Sequence, residues 1–135
     1  MSDLYRGFIF CFIFIFISFQ IFKFIRYIIE SNRNISDKAA IYEEVCGGRF
    51  GLLDFTYPFV RLTIYENYIK INAIKKYTLR IEDITKVKIR NYIFASGIHF
   101  THKDLAIPQG FIIWSRNCSK IKEIIDTKLE ELKKL

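Results

Sequence analysis

Residues 60–74 read VRLTIYENYIKINAI. Val60, Leu62 and Ile64 alternate with Arg61, Thr63 and Tyr65, Glu66 and Asn67 supply turn chemistry, and Ile69 and Ile71 then flank Lys70. A period of two, carried by β-branched and aromatic residues on either side of a short polar break, is the pattern of an antiparallel hairpin. Successive side chains leave a strand on opposite faces, so the aliphatic set faces a core and Arg61, Thr63 and Lys70 face away from it.

The same period continues downstream. Tyr77, Leu79 and Ile81 form the next alternating set, ended by a turn at Glu82 and Asp83; Val87 and Ile89 alternate with Lys86, Lys88 and Arg90. Gly97 opens a strand over residues 98–101, and residues 111–115 are a last apolar run behind Pro108 and Gly110. That makes six strands, or seven if residues 49–55 count as one. After Asn117, read as an N-cap, the period becomes helical, with Ile121, Ile124, Ile125, Leu129, Leu132 and Leu135 at steps that share a helix face. This helix is expected to cover the open end of a curved antiparallel sheet.

Upstream the texture differs. Residues 8–22, FIFCFIFIFISFQIF, carry no charge. Fifteen residues reach only about 22 Å as a helix, short of a hydrocarbon core of roughly 30 Å. Extension to Ile29 gives about 33 Å, with Lys23 and Arg26 snorkelling to the headgroups and Tyr5 and Tyr27 at the two interfaces. The Phe/Ile alternation imitates a strand, but an unpaired strand in lipid leaves its backbone groups unsatisfied, so a helix is expected. No A-x-A site follows the apolar run, which favours a retained anchor over a cleaved signal peptide. Arg6 alone precedes the span, whereas Lys23, Arg26, Arg33 and Lys38 follow, so the positive-inside bias puts the C-terminal domain in the cytoplasm. The organisation expected is a transmembrane anchor over residues 1–30, a linker over 31–46 with a short helix from Ser36 as one reading, and one domain over 47–135.

Charge is as uneven as hydropathy. Five basic and five acidic residues precede Gly47, which leaves 16 of the 21 Lys/Arg and 9 of the 14 Asp/Glu beyond it; the net +7 belongs to the domain. Such a domain beside a membrane attracts anionic headgroups or acidic proteins, and the same sign also aids solubility. Cys11, Cys46 and Cys118 are odd in number and widely spaced, which suits neither a disulfide framework nor a CxxC site.

The order of elements, with the texts YPFVRLTIYENYIKI, IEDITKVKI, GIHFTH and IPQGFIIWS, resembles the pleckstrin-homology (PH)-like superfold, and in particular small bacterial membrane-anchored PH-like proteins. The resemblance covers residues 47–135. It implies an α+β fold: an N-terminal transmembrane helix, then a mostly antiparallel β-sheet or barrel of six to seven strands closed by a C-terminal helix. The matching texts are patterns of core and turn positions, which bear on fold rather than function; the function expected is that of a non-enzymatic, membrane-tethered adaptor or regulatory module. Lipid-binding PH domains carry a Lys followed by an Arg-x-Arg-like cluster in their first hairpin; the matching region here, RFGLLDFTYPFVR, offers only Arg49 and Arg61, which argues against specific phosphoinositide recognition.

No catalytic set emerges. His99 and His102 fall on opposite faces of one strand and lack a third ligand at a suitable spacing, so no metal or cofactor is expected. Glu82 and Asp83 read as a turn, Cys118 as a packed residue at a helix start, and Trp114, within FIIWS, as core. The feature with most potential is basic: Lys86, Lys88 and Arg90 on one strand face, continued by Tyr92, with Lys70, Lys75, Lys76 and Arg80 on the preceding hairpin. They are candidate contacts for an anionic surface, and the alternative is the ordinary solvated face of a sheet. Lys23, Arg26 and Tyr27 are the candidate membrane-interface residues. An aromatic platform interleaved with the basic row is not evident, which argues against nucleic acid. The partners expected are a membrane through the N-terminal helix and a protein or peptide at the cytoplasmic face, with anionic lipid headgroups as the alternative.

Overall fold

The computed structural model describes the backbone of residues 2–33 and 39–135 and the side chains of residues 7–30 and 39–135. Ser36 and Asp37 lie outside that description, as do the side chains of Tyr5, Arg6, Arg33 and Lys38. Helix α1 runs Ser2–Arg33, and its stretch Gly7–Glu30 is long and apolar enough to cross a membrane. At ~1.5 Å per residue those 24 residues span about 36 Å. Phe8, Phe12, Phe16, Phe22 and Phe24 are all exposed, so the domain leaves the apolar surface of residues 8–24 uncovered. The alternating sequence therefore forms a helix, whose backbone bonds close within the segment. Near its end Ile25, Ile28 and Ile29 become half-buried, and α1 touches the second strand of the domain.

Seven strands form one antiparallel sheet: β1 (Tyr42–Phe50), β2 (Leu53–Ile64), β3 (Tyr68–Asn72), β4 (Lys76–Arg80), β5 (Ile84–Asn91), β6 (Ser96–His102) and β7 (Ile112–Trp114). Their order is β4-β3-β2-β1-β7-β6-β5, and β4 and β5 do not pair, so the sheet stays open. A single 3-10 turn, Ile81–Asp83, separates those two strands at the position of the expected acidic turn.

Two sequence expectations change here. Residues 42–46 are not linker or helix: Tyr42, Glu44 and Cys46 pair with Ile64, Leu62 and Val60, so the domain begins before Gly47. Tyr42, Glu44 and Cys46 are an inward period-two set that is concealed because one of its members, Glu44, is charged and an apolar residue, Val45, stands on the other face. Residues 49–55 are not one strand either. They hold the β1–β2 hairpin, where Gly51 takes φ +63°, a value that L side chains rarely adopt. The strand count of seven is thus reached with different strands. Pairing between β1 and β2 lapses between Cys46/Val60 and Gly48/Phe55, and Pro58, which has no N–H to give a ladder, sits in that lapse.

The core is the alternating set read from the sequence: Val60, Leu62, Ile64, Ile69, Ile71, Leu79, Ile81, Ile98 and Ile113 are fully buried. Phe111 stacks between Phe100 at 4.8 Å and Phe50 at 5.6 Å. Helix α2 (Cys118–Lys133) lays Cys118, Ile121 and Ile125 on this core and packs on β5, β6 and the 3-10 turn. Asn117 stands at the N-cap, but its side chain does not cap: its amide reaches Glu44 Oε1 at 3.4 Å, and its own N–H donates to Ser115 Oγ at 2.8 Å. Ser115 Oγ in turn donates to the Glu44 carboxylate, tying the helix start to β1.

Candidate functional site

Strand β5 ends the strand order and pairs only with β6. The Phe100 N–H goes to the Phe111 carbonyl oxygen, so His99 and Thr101 are the β6 residues that turn their backbone toward β5. Their partners Lys88 and Lys86 therefore spend their backbone groups on β6, and Val87 and Ile89 direct theirs outward, where no strand follows among the described residues. Side chains divide the other way. Val87 is buried beneath α2, while Lys86, Lys88 and Arg90 are exposed on the opposite face. Lys86, then Arg90, hold the Lys88 ammonium below the ordinary lysine range by like-charge repulsion. Between Ile89 and α2 runs a shallow groove of about 450 Å³, walled by Ser119, Lys122, Glu123 and Asp126.

The basic residues read from the sequence fall into two groups rather than one. Lys86, Lys88 and Arg90 share β5; Lys70, Lys75, Lys76 and Arg80 lie on β3, β4 and their turn, at the other end of the strand order. Within the second group Lys70 and Lys75 sit over the rings of Tyr65 and Tyr77, both at 5.7 Å, and Arg80 is paired with Glu82 at 2.7 Å and Asp83 at 3.1 Å. Lys76 is exposed opposite Asn72. On α1, Lys23 lies 4.9 Å from the Phe19 ring centroid, and Tyr27 is exposed.

Beside the β5 row stands a cluster that the sequence did not reveal. Trp114 is not core. Its indole lies on the outer face of the sheet, donates from Nε1 to Asp54 Oδ1 at 3.0 Å, and meets Tyr92 edge-on at 5.0 Å. Asp54 is ion-paired with Arg49 at 2.7 Å, and that guanidinium also lies over the indole. The Arg49 hydrogen bond, and after it the Trp114 bond, hold the Asp54 carboxyl below the usual carboxylate range. Tyr92 Oη is 2.7 Å from His99 Nε2; partial burial, then Arg90 and Arg49, keep the imidazole below its ordinary value. Gly97 makes room for the indole: a Cβ there would stand 2.8 Å from Trp114 Cζ3. In an unbroken apolar run the two faces cannot be told apart, but Ile113 takes the core and period two sends Trp114 out.

His102 goes the opposite way from His99, buried against Phe111 with Nε2 3.2 Å from the Pro108 carbonyl oxygen. Burial pushes the thiols of Cys46 and Cys118 up, which makes both poor nucleophiles.

No family model matches the chain, and no curated protein matches it. Among solved structures it is similar to the Vps36 N-terminal PH domain, with a TM-score of 0.56 at 12% identity over 71% of this chain and 82% of that one. The open seven-stranded sheet with its C-terminal helix is accordingly a PH-like fold, carried behind an N-terminal apolar helix.

Proposed function

We propose that this chain is a non-enzymatic, membrane-tethered PH-like adaptor that holds a protein or peptide partner at the cytoplasmic face. The observation that carries the reading is the edge of β5. It is eight residues long against five for β4, the other edge strand, and only β5 has α2 beside it as the wall of a groove. An extended segment adding to this edge would gain the outward backbone groups of Val87 and Ile89 and lay side chains against α2. The tether supplies local concentration, so a weak intrinsic affinity suffices.

The test is hydrogen exchange on the full chain in lipid nanodiscs, with peptides selected for binding from a random library. Bound peptide should slow exchange at Val87 and Ile89 and leave Lys86 and Lys88, already bonded to β6, unchanged. Protection elsewhere on the domain and none at Val87 or Ile89 would sink the reading. A reporter fused after Leu135 checks the orientation, which requires cytoplasmic activity.

The row of Lys86, Lys88 and Arg90 favours a second reading, in which the module senses anionic lipid, with Lys70, Lys75 and Lys76 adding to it. Flotation of residues 39–135 with anionic vesicles that fades with salt would support this, and absence of binding at low salt would remove it.

A further inference from the structure

The β5–β6 turn is an anomaly of local chemistry. Residues 92–95 close on a 2.7 Å hydrogen bond from the Tyr92 N–H to the Ala95 carbonyl oxygen, with Ile93 and Phe94 at the apex. Hairpin apices favour Gly, Asn and Asp. Here both apex side chains are large, apolar and 91% and 98% exposed. Among the described residues neither side chain is covered by the core, so the choice of residues points outside the domain.

We propose that Ile93 and Phe94 form a second membrane contact, a wedge that enters the headgroup–acyl boundary of the bilayer that α1 spans and so fixes the orientation of the domain. The inference rests on the reading of α1 as an anchor. The first observation behind it is topological. Gly47 of β1 pairs with Trp114, and Trp114 pairs with Gly97, so residues 92–95 project past the same end of the sheet at which the chain enters β1 from α1. The few residues between Arg33 and Tyr42 keep that end within about 30 Å of the helix terminus. The second is charge. Residues 91–96, NYIFAS, hold no carboxylate, and exposed Arg90 and Arg116 flank them; the Ser115 N–H bond to the Ser96 carbonyl oxygen sets Arg116 beside the turn. An apolar tip flanked by two exposed arginines complements an anionic bilayer surface. The exposed apolar residues Leu52, Ile74 and Leu105 sit on the turns at the opposite end of the sheet, which this orientation turns away from the membrane.

The experiment uses the full chain in phosphatidylcholine–phosphatidylglycerol vesicles containing phosphatidylcholine brominated high on its acyl chains. Trp114 is the only tryptophan, so the W114F/F94W and W114F/L52W variants each carry one reporter, both at fully exposed sites. The F94W indole should shift to shorter wavelength and show about a twofold loss of emission, as expected for a side chain at the interface, while the L52W indole stays unquenched. Failure of either variant to float with the vesicles removes the anchor and this proposal together. Flotation without quenching of F94W, or with quenching of L52W instead, overturns the wedge and leaves the anchor standing.

Discussion

Gly97→Ala is the most direct test of how the outer face is built. A Cβ at this position would lie 2.8 Å from Ile112 Cγ2, 2.8 Å from Trp114 Cζ3 and 2.9 Å from Trp114 Cε3. All are closer than packed carbons tolerate, and two of the three belong to a large ring that is already committed. It is held by the 3.0 Å bond to Asp54, the edge contact with Tyr92 and the Arg49 guanidinium above it. Over-packing of this kind costs about 1–3 kcal/mol. Taking about 2 kcal/mol, the melting temperature of a domain this size should fall by about 8–16 °C. The assay is thermal unfolding of residues 39–135, a fragment that retains the whole core cluster, since its buried members all lie between Cys46 and Ile125. Trp114 reports by its own fluorescence, and its displacement from Asp54 should move the emission maximum of the folded state. In a Trp114→Ala background two of the three close contacts vanish, so the same glycine substitution should cost about 1 kcal/mol less. Unchanged stability together with unchanged emission in Gly97→Ala would refute the packing argument, and equal costs in both backgrounds would show that the ring is not what the new methyl meets.

Other outcomes follow from the same geometry. The Asp54 carboxyl is held low by Arg49, so the stability it lends is present above the unfolded carboxylate value and is lost as pH falls through the lower folded one. An acid titration of Trp114 emission should therefore show a step below the ordinary Asp range, and Asp54→Asn should abolish it. His99 should titrate by NMR below the ordinary histidine value, and Arg90→Gln should bring it part of the way back, since burial is the larger cause and Arg90 the next. The fragment 47–135 should fail to melt cooperatively where 39–135 does, because it removes the residues that pair with Val60, Leu62 and Ile64; a normal melt of 47–135 would return residues 42–46 to the linker.

The parts of the domain legible in the sequence are those where polar and apolar residues alternate with the period of the element. Along residues 86–90 solvent enforces the alternation, with Lys86, Lys88 and Arg90 exposed and Val87 buried; along residues 60–64 Arg61 and Thr63 keep the polar positions while buried, because Glu43 bonds both. The helix after Asn117 was visible for the same reason at a period of 3.6. Legibility failed where no polar residue marks one of the two faces, or where a polar residue points toward the core. Trp114 lies in a run with no polar residue to mark its faces, and Glu44 and Tyr42 point inward with their polar groups bonded to Ser115 and to each other, so β1 began in what composition gave to a linker. Asn117 has the chemistry of a cap, yet the nearby Glu44 carboxylate engages its amide.

By itself the sequence determined the separation of an apolar helix from a basic domain, the alternation that builds the sheet and the row of Lys86, Lys88 and Arg90, because each is a property of neighbours along the chain. Only the tertiary structure decided that β4 and β5 stay unpaired, that Trp114 turns outward over Gly97 and that Ile93 and Phe94 stand at the same end of the sheet as the start of β1. Those depend on which strands meet across long stretches of chain and in what register. A shift of one residue in the pairing of β7 would send Trp114 to the core face.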